Sequence, residues 1–191
     1  MNRRSFLGLA LVLSACASAP PPPRNLDNAC VLIQERPDIY RAMRQAERQW
    51  NAPVNVQMAI MYQESRFDSD ARPPYRFALG VIPMGRQSSA LGYSQALDGT
   101  WDEYRRATGN RGARRTNIRD ATDFIGWYMN QSVTRSGVAL SDARNQYLAY
   151  HEGHAGFNRG SYNAKPWLLR VARQVDERAA TYQSQLASCR R

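Results

Sequence analysis

Residues 54–67 read VNVQMAIMYQESRF and contain the most apolar predicted helix of the chain, which Glu64 closes. Pro53 precedes it, as suits a helix start, and apolar residues recur at helical spacing from Val56 to Ile60. We therefore predict a buried helix that ends at Glu64. A carboxyl packed against such a helix loses water, which raises its pKa and keeps a proton available near neutral pH. The alternative is an ordinary surface glutamate at a helix end.

The other periodicities in the chain are also helical, and they predict a single, mostly helical domain without convincing strands. Residues 68–91 show no period and are rich in proline and glycine, so they predict a long loop that can contain a hairpin. We expect Thr100, Asp120 and Ser141 to cap helices. The predicted amphipathic helices span residues 38–50, 100–108, 120–136, 141–150 and 166–186.

The N-terminus, MNRRSFLGLALVLSAC (residues 1–16), has a basic start, an apolar segment too short to span a bilayer, and small residues before Cys16. This pattern resembles that of bacterial lipoproteins, in which the cysteine is acylated after cleavage. It predicts a signal peptide at residues 1–15 and lipidation of Cys16. Because Ala17 rather than Asp follows, we expect an outer-membrane lipoprotein facing the periplasm. An ordinary secretory signal is the alternative, and residues 2–7 also resemble a twin-arginine motif, which leaves the export route open.

The charge balance is strongly basic, with 26 Lys and Arg against 16 Asp and Glu in 191 residues, a formal net charge of +10. Such a charge commonly indicates nucleic acid, but an exported protein does not meet it. We therefore expect anionic lipids, wall polymers or peptide carboxylates as partners, with a merely solubilising surface as the alternative. Residues 16–25 predict a lipidated, proline-rich spacer that attaches the protein to the membrane. We predict that residues 26–191 form the domain, and we expect the protein to be a monomer.

The cysteines that remain if Cys16 is lipidated are Cys30 and Cys189. The periplasm is oxidising, so these two are predicted to form a disulfide across the domain. Two free buried thiols are the alternative.

The sequence contains few other groups suited to catalysis. His151 and His154 flank Glu152, but their spacing is not the i, i+4 spacing that places two imidazoles on one helical face, so we predict no metal site. The sequence also lacks the Gly-x-Ser-x-Gly turn of serine hydrolases and a phosphate-binding loop. Carboxylates therefore remain as the candidate catalytic groups.

Three blocks of sequence resemble, in the same order, the lytic transglycosylases of the soluble (SLT) type. Residues 58–67 (MAIMYQESRF) resemble the family's ALA-x-x-ES-x-F helix end. Residues 92–95 (GYSQ) stand where the family has GLMQ, and residues 147–153 (YLAYHEG) stand where it has an AYNAG-like segment. The resemblance covers about residues 54–157.

The resemblance implies a mainly α, lysozyme-like fold of the α+β lysozyme superfamily. It also implies action on peptidoglycan glycan strands, with cleavage of the MurNAc–GlcNAc β-1,4 bond and formation of a 1,6-anhydro-MurNAc end. No cofactor is implied.

The same resemblance implies roles for individual residues. Glu64 is expected to be the general acid and then the general base. We expect Ser65 to orient Glu64, and Tyr93, Gln95 and Tyr150 to contact the substrate. The alternative interpretations are a helix cap for Ser65, a surface loop amide for Gln95 and a core aromatic residue for Tyr150.

Glu152 departs from the family pattern and admits two interpretations. In the first, which we favour, it accepts hydrogen bonds from backbone amides or an arginine and fixes the following turn. In the second, its charge faces the cleavage site. A lysozyme-like hydrolase that uses Glu152, Asp68, Asp70 or Asp98 to hold water is an alternative function, and a non-catalytic glycan-binding lipoprotein is another.

Overall fold

The computed structural model describes residues 21–189, and its secondary structure is mainly helical. The mainly α prediction is therefore confirmed. The predicted signal peptide and Cys16 lie outside the described residues. The elements are α1 (Ala29–Glu35), α2 (Pro37–Trp50), α3 (Val54–Ser65), β1 (Tyr75–Ala78), β2 (Ile82–Arg86), α4 (Asp98–Thr108), α5 (Ile118–Ser136), α6 (Ala143–Asn158), a 3₁₀ turn (Ser161–Ala164) and α7 (Pro166–Ser188).

Helix α3 lies at the centre of the domain and contacts α5, α6 and α7. Every residue from Val56 to Met61 is buried, as expected for a helix that is apolar on nearly all sides. Helix α2 packs along α5 and also contacts α3. This arrangement fixes the end of α3 and therefore the position of Glu64.

Several helix starts differ from the sequence-based prediction. Helix α1, which was not predicted, is capped by the Asn28 side chain. Helix α4 begins at Asp98, so Thr100 lies within its first turn rather than capping it. The caps of α5 and α6 are Asn117 and Asp142 rather than Asp120 and Ser141, because the side chains of these two residues reach the free amides of the first turn.

The loop between α3 and α4 contains a hairpin. Strands β1 and β2 pair antiparallel, and the turn between them places Leu79 and Gly80 at positive φ, with the Val81 amide donating to the Ala78 carbonyl (3.2 Å). The two strands are exposed along almost their whole length. The hairpin that the sequence allowed in this loop is therefore present, and its strands are exposed to solvent.

The two ends of the described chain are joined. Cys30 and Cys189 form a disulfide with a Cα–Cα distance of 5.4 Å, which confirms the predicted pairing. The Tyr182 hydroxyl, on α7, also donates to the Leu26 carbonyl. Within residues 21–189, no helix combines the length and apolar character required to cross a membrane.

The last part of the predicted spacer contacts the domain. Pro23 is buried, and Arg36 Nη1 donates to the Pro21 carbonyl (2.8 Å). The Arg24 amide donates to Glu35 Oε2 (2.7 Å). The chain therefore reaches the helical body several residues before Leu26.

Candidate active site

A groove of about 470 Å³ lies between the end of α3, the base of the hairpin and helix α6. Its aromatic wall is formed by Phe124 and Tyr128 of α5 and by Tyr150 of α6, whose ring lies 5.0 Å from that of Tyr128. Glu64 and Glu152 are the acidic residues that line it. A second cavity of about 520 Å³, between α3 and α7, lies on a different face of α3 and does not include Glu64.

Glu64 occupies the last turn of α3, with part of its side chain accessible from the groove. Burial raises the pKa of its carboxyl to about 7, and the nearby Tyr147 hydroxyl lowers it in part by interacting with the ionised form. No described residue forms a hydrogen bond of ordinary geometry with this carboxyl. Glu64 can therefore be both protonated and ionised near neutral pH, as a group that gives and then takes a proton requires.

The chain turns sharply after Glu64, because Arg66 and Phe67 both have positive φ (52° and 62°). Two non-glycine residues in this conformation carry strain, which is commonly found at functional sites. Phe67 is fully buried, and this packing holds the turn in place. The turn ends the helix at the groove and leaves the Glu64 side chain at its edge.

Ser65 does not hydrogen-bond Glu64 but connects α3 to the loop that follows the hairpin. Its buried hydroxyl donates to the Tyr93 carbonyl (2.8 Å) and lies 3.3 Å from the Met61 carbonyl. The Tyr93 side chain is only 2% exposed and does not line the groove, and its hydroxyl accepts from Arg36 Nη2 (3.3 Å). Ser65 and Tyr93 are therefore buried residues that fix the position of the loop beside Glu64, and neither lines the groove.

Gln95 lines the groove on the side facing the hairpin base. Its Nε2 donates to the carbonyls of Ala71 (2.9 Å) and Gly92 (2.8 Å), which fixes the orientation of the amide. Gly92 has a φ of +71°, and a Cβ added there would lie 2.3 Å from the Arg115 carbonyl oxygen. The loop from Gly92 to Gln95 can therefore pack closely only with glycine at its start.

Helix α6 supplies two tyrosines beside the acid. The Tyr150 hydroxyl donates to the Ser94 carbonyl (2.6 Å), so its ring is fixed against the same loop. Burial and the neighbouring Glu64 charge raise the pKa values of Tyr147 and Tyr150, so both phenols stay protonated and act as neutral hydrogen-bond donors. Glu64, Gln95 and Tyr150, three of the predicted site residues, thus line one groove.

Glu152 is held in a network at the other side of the groove. Its carboxylate accepts hydrogen bonds from Lys165 Nζ (2.6 Å) and from the Ser161 hydroxyl, and His151 Nδ1 lies 3.1 Å from it. Burial raises its pKa, but these hydrogen bonds and the Lys165 charge outweigh that effect and lower it to about 2. The partners are the side chains of His151, Ser161 and Lys165 rather than the backbone amides or arginine expected from the sequence.

The two histidines lie in separate surroundings. His154 stacks on Tyr128, with ring centroids 4.4 Å apart, and its Nε2 lies 3.1 Å from the Ser132 hydroxyl. His151 is the partner of Glu152. In the part of the chain that the structure describes, no three His, Cys, Asp or Glu side chains converge on a common point.

Two tyrosines at the site, Tyr147 and Tyr128, were not predicted as site residues from the sequence. Tyr147 interacts with Glu64, and Tyr128 lines the groove while its hydroxyl donates to the Ala149 carbonyl (3.1 Å). Tyr147 could have been predicted from its spacing to Tyr150, because residues three apart on a helix share a face. Tyr128 carried no such signal, since its apolar periodicity on α5 is equally that of a core residue.

A mainly helical domain with a desolvated glutamate at the end of its central helix, in a groove lined by aromatic and amide groups, defines a lysozyme-like protein. The family model described as "Transglycosylase SLT domain" matches residues 5–189, and the chain belongs to this family. The resemblance seen in the sequence is thereby confirmed, and membership implies peptidoglycan lytic transglycosylase activity in general. No curated protein matches the chain.

Proposed function

We propose that this protein cleaves the MurNAc–GlcNAc β-1,4 bond of peptidoglycan and leaves a 1,6-anhydro-MurNAc end, with Glu64 as both acid and base. The observation that carries the proposal is the Glu64 carboxyl itself. It lies at the groove, and burial raises its pKa to about 7. A groove of this size admits sugar units of a glycan strand, and its aromatic wall suits the apolar faces of the rings.

The proposed reaction uses one carboxyl twice. Protonated Glu64 donates its proton to the glycosidic oxygen, which becomes a good leaving group as the bond to C1 breaks. The C6 hydroxyl of the same MurNAc unit then forms the new bond to C1, and its proton returns to the Glu64 carboxylate. The enzyme is regenerated and no water is consumed. The substrate's own N-acetyl group is well suited to stabilise the positive charge at C1 between these steps.

The surroundings of Glu64 support a neutral starting state. Tyr147 and Tyr150 are protonated phenols that add no charge beside it.

Gln95 has a free acceptor at the groove. The Oε1 atom of Gln95 accepts no hydrogen bond from the described residues, whereas its Nε2 is fully engaged. Gln95 Oε1 is therefore suited to accept a hydrogen bond from a sugar hydroxyl or an acetamido N–H group.

A hydrolase is the alternative that the second carboxylate in the groove raises. A hydrolase of this type needs a carboxylate to hold or activate water. Glu152 is engaged by Lys165, Ser161 and His151, and its side chain is only 4% exposed. Asp68, Asp70 and Asp98 do not line the groove. This supports the lyase reaction over hydrolysis.

The test is digestion of purified peptidoglycan by the wild-type protein and by Glu64→Gln. Products of the wild type should be one water lighter than reducing-end sugars, as measured by mass spectrometry. Glu64→Gln should lose activity by about 10²-fold or more while still binding glycan strands. Glu177→Gln, which changes an exposed glutamate of α7, is the matched control and should remain active. Reducing-end products would indicate a hydrolase, and equal digestion by Glu64→Gln would remove Glu64 from the mechanism.

For the location, we propose attachment to the periplasmic face of the outer membrane through a lipidated Cys16. The support is the sequence pattern of residues 1–17 and the disulfide, whose bond requires an oxidising compartment. A periplasmic location would give the groove access to peptidoglycan.

A further inference from the structure

The hairpin of β1 and β2 carries a cluster of apolar side chains exposed to solvent. Leu79 and Val81, at its tip, are 91% and 76% exposed. Tyr75, Phe77, Ile82 and Met84, along the strands, are each at least half exposed. An exposed apolar cluster of this kind on a small domain commonly marks an interaction surface.

The turn at the tip has a leucine at a position where its backbone conformation favours other residues. Leu79 has a φ of +52° and Gly80 a φ of +75°, the arrangement of a type I′ turn, in which Asn-Gly is favoured. Leucine in the left-handed region is strained and gains no buried contact here, since it is almost fully exposed. Folding of the hairpin alone therefore does not account for a leucine at this position.

The charged residues of the hairpin segment itself are all of one sign. Residues 71–97 contain three arginines (Arg72, Arg76 and Arg86) and no acidic residue. Arg76 and Arg86 are exposed, and the Arg86 guanidinium lies 4.4 Å from the centre of the Tyr75 ring at the hairpin base. An apolar tip beyond a basic, aromatic base matches the boundary between acyl chains and anionic headgroups of a lipid bilayer.

The start of the described chain is connected to this base by a short series of contacts. The Pro21 carbonyl accepts from Arg36, and Arg36 in turn donates to the Tyr93 hydroxyl (3.3 Å). The adjacent Gly92 amide donates to the Ala71 carbonyl (2.9 Å), where the hairpin loop begins. Five extended residues span at most about 18 Å, so a lipid at Cys16 would keep Pro21 within that reach of a bilayer.

From these observations we infer that the hairpin docks the domain onto an anionic lipid surface, with Leu79 and Val81 inserted and Arg76 and Arg86 at the headgroups. The base of the hairpin borders the groove through Pro73, Gln87 and Ser88. Docking would therefore set the groove opening close to the membrane and present it to glycan strands that lie nearby. This role is additional to the proposed reaction and does not depend on it.

The experiment follows a fluorophore on the hairpin in the full-length chain. A polarity-sensitive NBD group is attached to Met84→Cys in a Cys16→Ser background without reductant, which leaves the disulfide intact. The protein is reconstituted with vesicles of phosphatidylcholine alone or with one quarter phosphatidylglycerol. In the anionic vesicles we expect a blue shift and quenching by spin-labelled lipid. The same label at Thr134→Cys, an exposed position on α5, should show neither.

The discriminating variant combines Leu79→Asn with Val81→Thr. It removes the apolar tip but gives the turn its preferred Asn-Gly pair, so the hairpin is retained. The lipid-inserted fraction should fall by about tenfold or more. Removing one charge with Arg76→Gln should reduce it by about fivefold on anionic vesicles.

Three results would overturn this inference. The first is insertion unchanged in Leu79→Asn/Val81→Thr. The second is a fluorophore that responds to glycan fragments but not to vesicles, which would make the hairpin a cover for the groove. The third is a signal that depends on protein concentration without lipid, which would indicate association of two copies.

Discussion

Replacing Glu64 by Gln should stabilise the folded protein at and above neutral pH while lowering its activity by about 10²-fold or more. The reason is that burial raises the pKa of Glu64 to about 7, so the fold must hold an ionised carboxylate in poorly solvated surroundings at high pH. The side chain introduced by Glu64→Gln has the same size and no charge. The stability that the protonated carboxyl contributes to the wild type is therefore fully present below about pH 4.5 and is lost as the pH rises through about 7.

The size of the effect follows from the two pKa values. Ionising a carboxyl whose pKa has risen from 4.5 to about 7 costs about 3 kcal/mol more in the folded than in the unfolded chain, at about 1.4 kcal/mol per pH unit. This is an upper value, since part of the side chain is accessible from the groove. For a domain of this length, about 1–3 kcal/mol corresponds to a rise in melting temperature of about 2–12 °C.

The assay is urea unfolding followed by circular dichroism at pH 4 and pH 8. Glu64→Gln and wild type should have similar midpoints at pH 4, and the variant should be more stable at pH 8. Glu177→Gln, at an exposed position, controls for the loss of a carboxylate and should show no such divergence. If the stability difference between Glu64→Gln and wild type is the same at both pH values, Glu64 is not desolvated and the basis for its proton transfer fails.

Four further outcomes are expected. The cleavage rate should fall as the pH rises through about 7, because the reaction begins with protonated Glu64; a rate that instead rises through this range in a pH profile would contradict that role. Glu152→Gln should lower the free energy of unfolding by about 1–3 kcal/mol at neutral pH, with the difference disappearing as the pH falls from about 4.5 to about 2. A 10²-fold loss of turnover in that variant without a change in melting temperature would instead place Glu152 in catalysis. Reduction of the Cys30–Cys189 bond should lower stability by about 3–5 kcal/mol and specific activity far less, and mass spectrometry after alkylation should find no free thiol in these two residues before reduction. Cys16→Ser should abolish acylation, as measured by intact mass, and weaken attachment to membranes after a high-salt wash.

The fold was predictable from the sequence where apolar periodicity is strong and unbroken. Helix α3 follows from its continuous apolar run after Pro53, and α7 from a long amphipathic pattern after Pro166. Helix α1 was missed because a segment of seven residues contains too few turns to show a period. Helix starts were misplaced where several capping side chains lie close together, as with Ser141 and Asp142, since only the backbone path decides which one reaches the free amides.

The site was predictable at Glu64 because desolvation follows from the apolar helix that carries it. What could not be predicted is the direction in which neighbouring side chains point. Ser65 adjoins the acid in sequence, yet its hydroxyl binds the Tyr93 carbonyl. Glu152 finds Lys165, a residue in the following turn, and no local pattern distinguishes that partner from an arginine or a backbone amide.

The bond between Cys30 and Cys189 also determines how the domain responds to mechanical load. Without it, tension applied at residue 21 would peel α1 from the surface one contact at a time, beginning with the Arg36–Pro21 hydrogen bond. With it, the load passes at Cys30 directly to the end of α7, which packs against α3 and α6. The force is then shared by the interfaces of the helices that bear Glu64 and Tyr150. A domain tethered at its N-terminus would therefore resist tension on a bound glycan strand through these helix interfaces rather than through the first contacts of α1 alone.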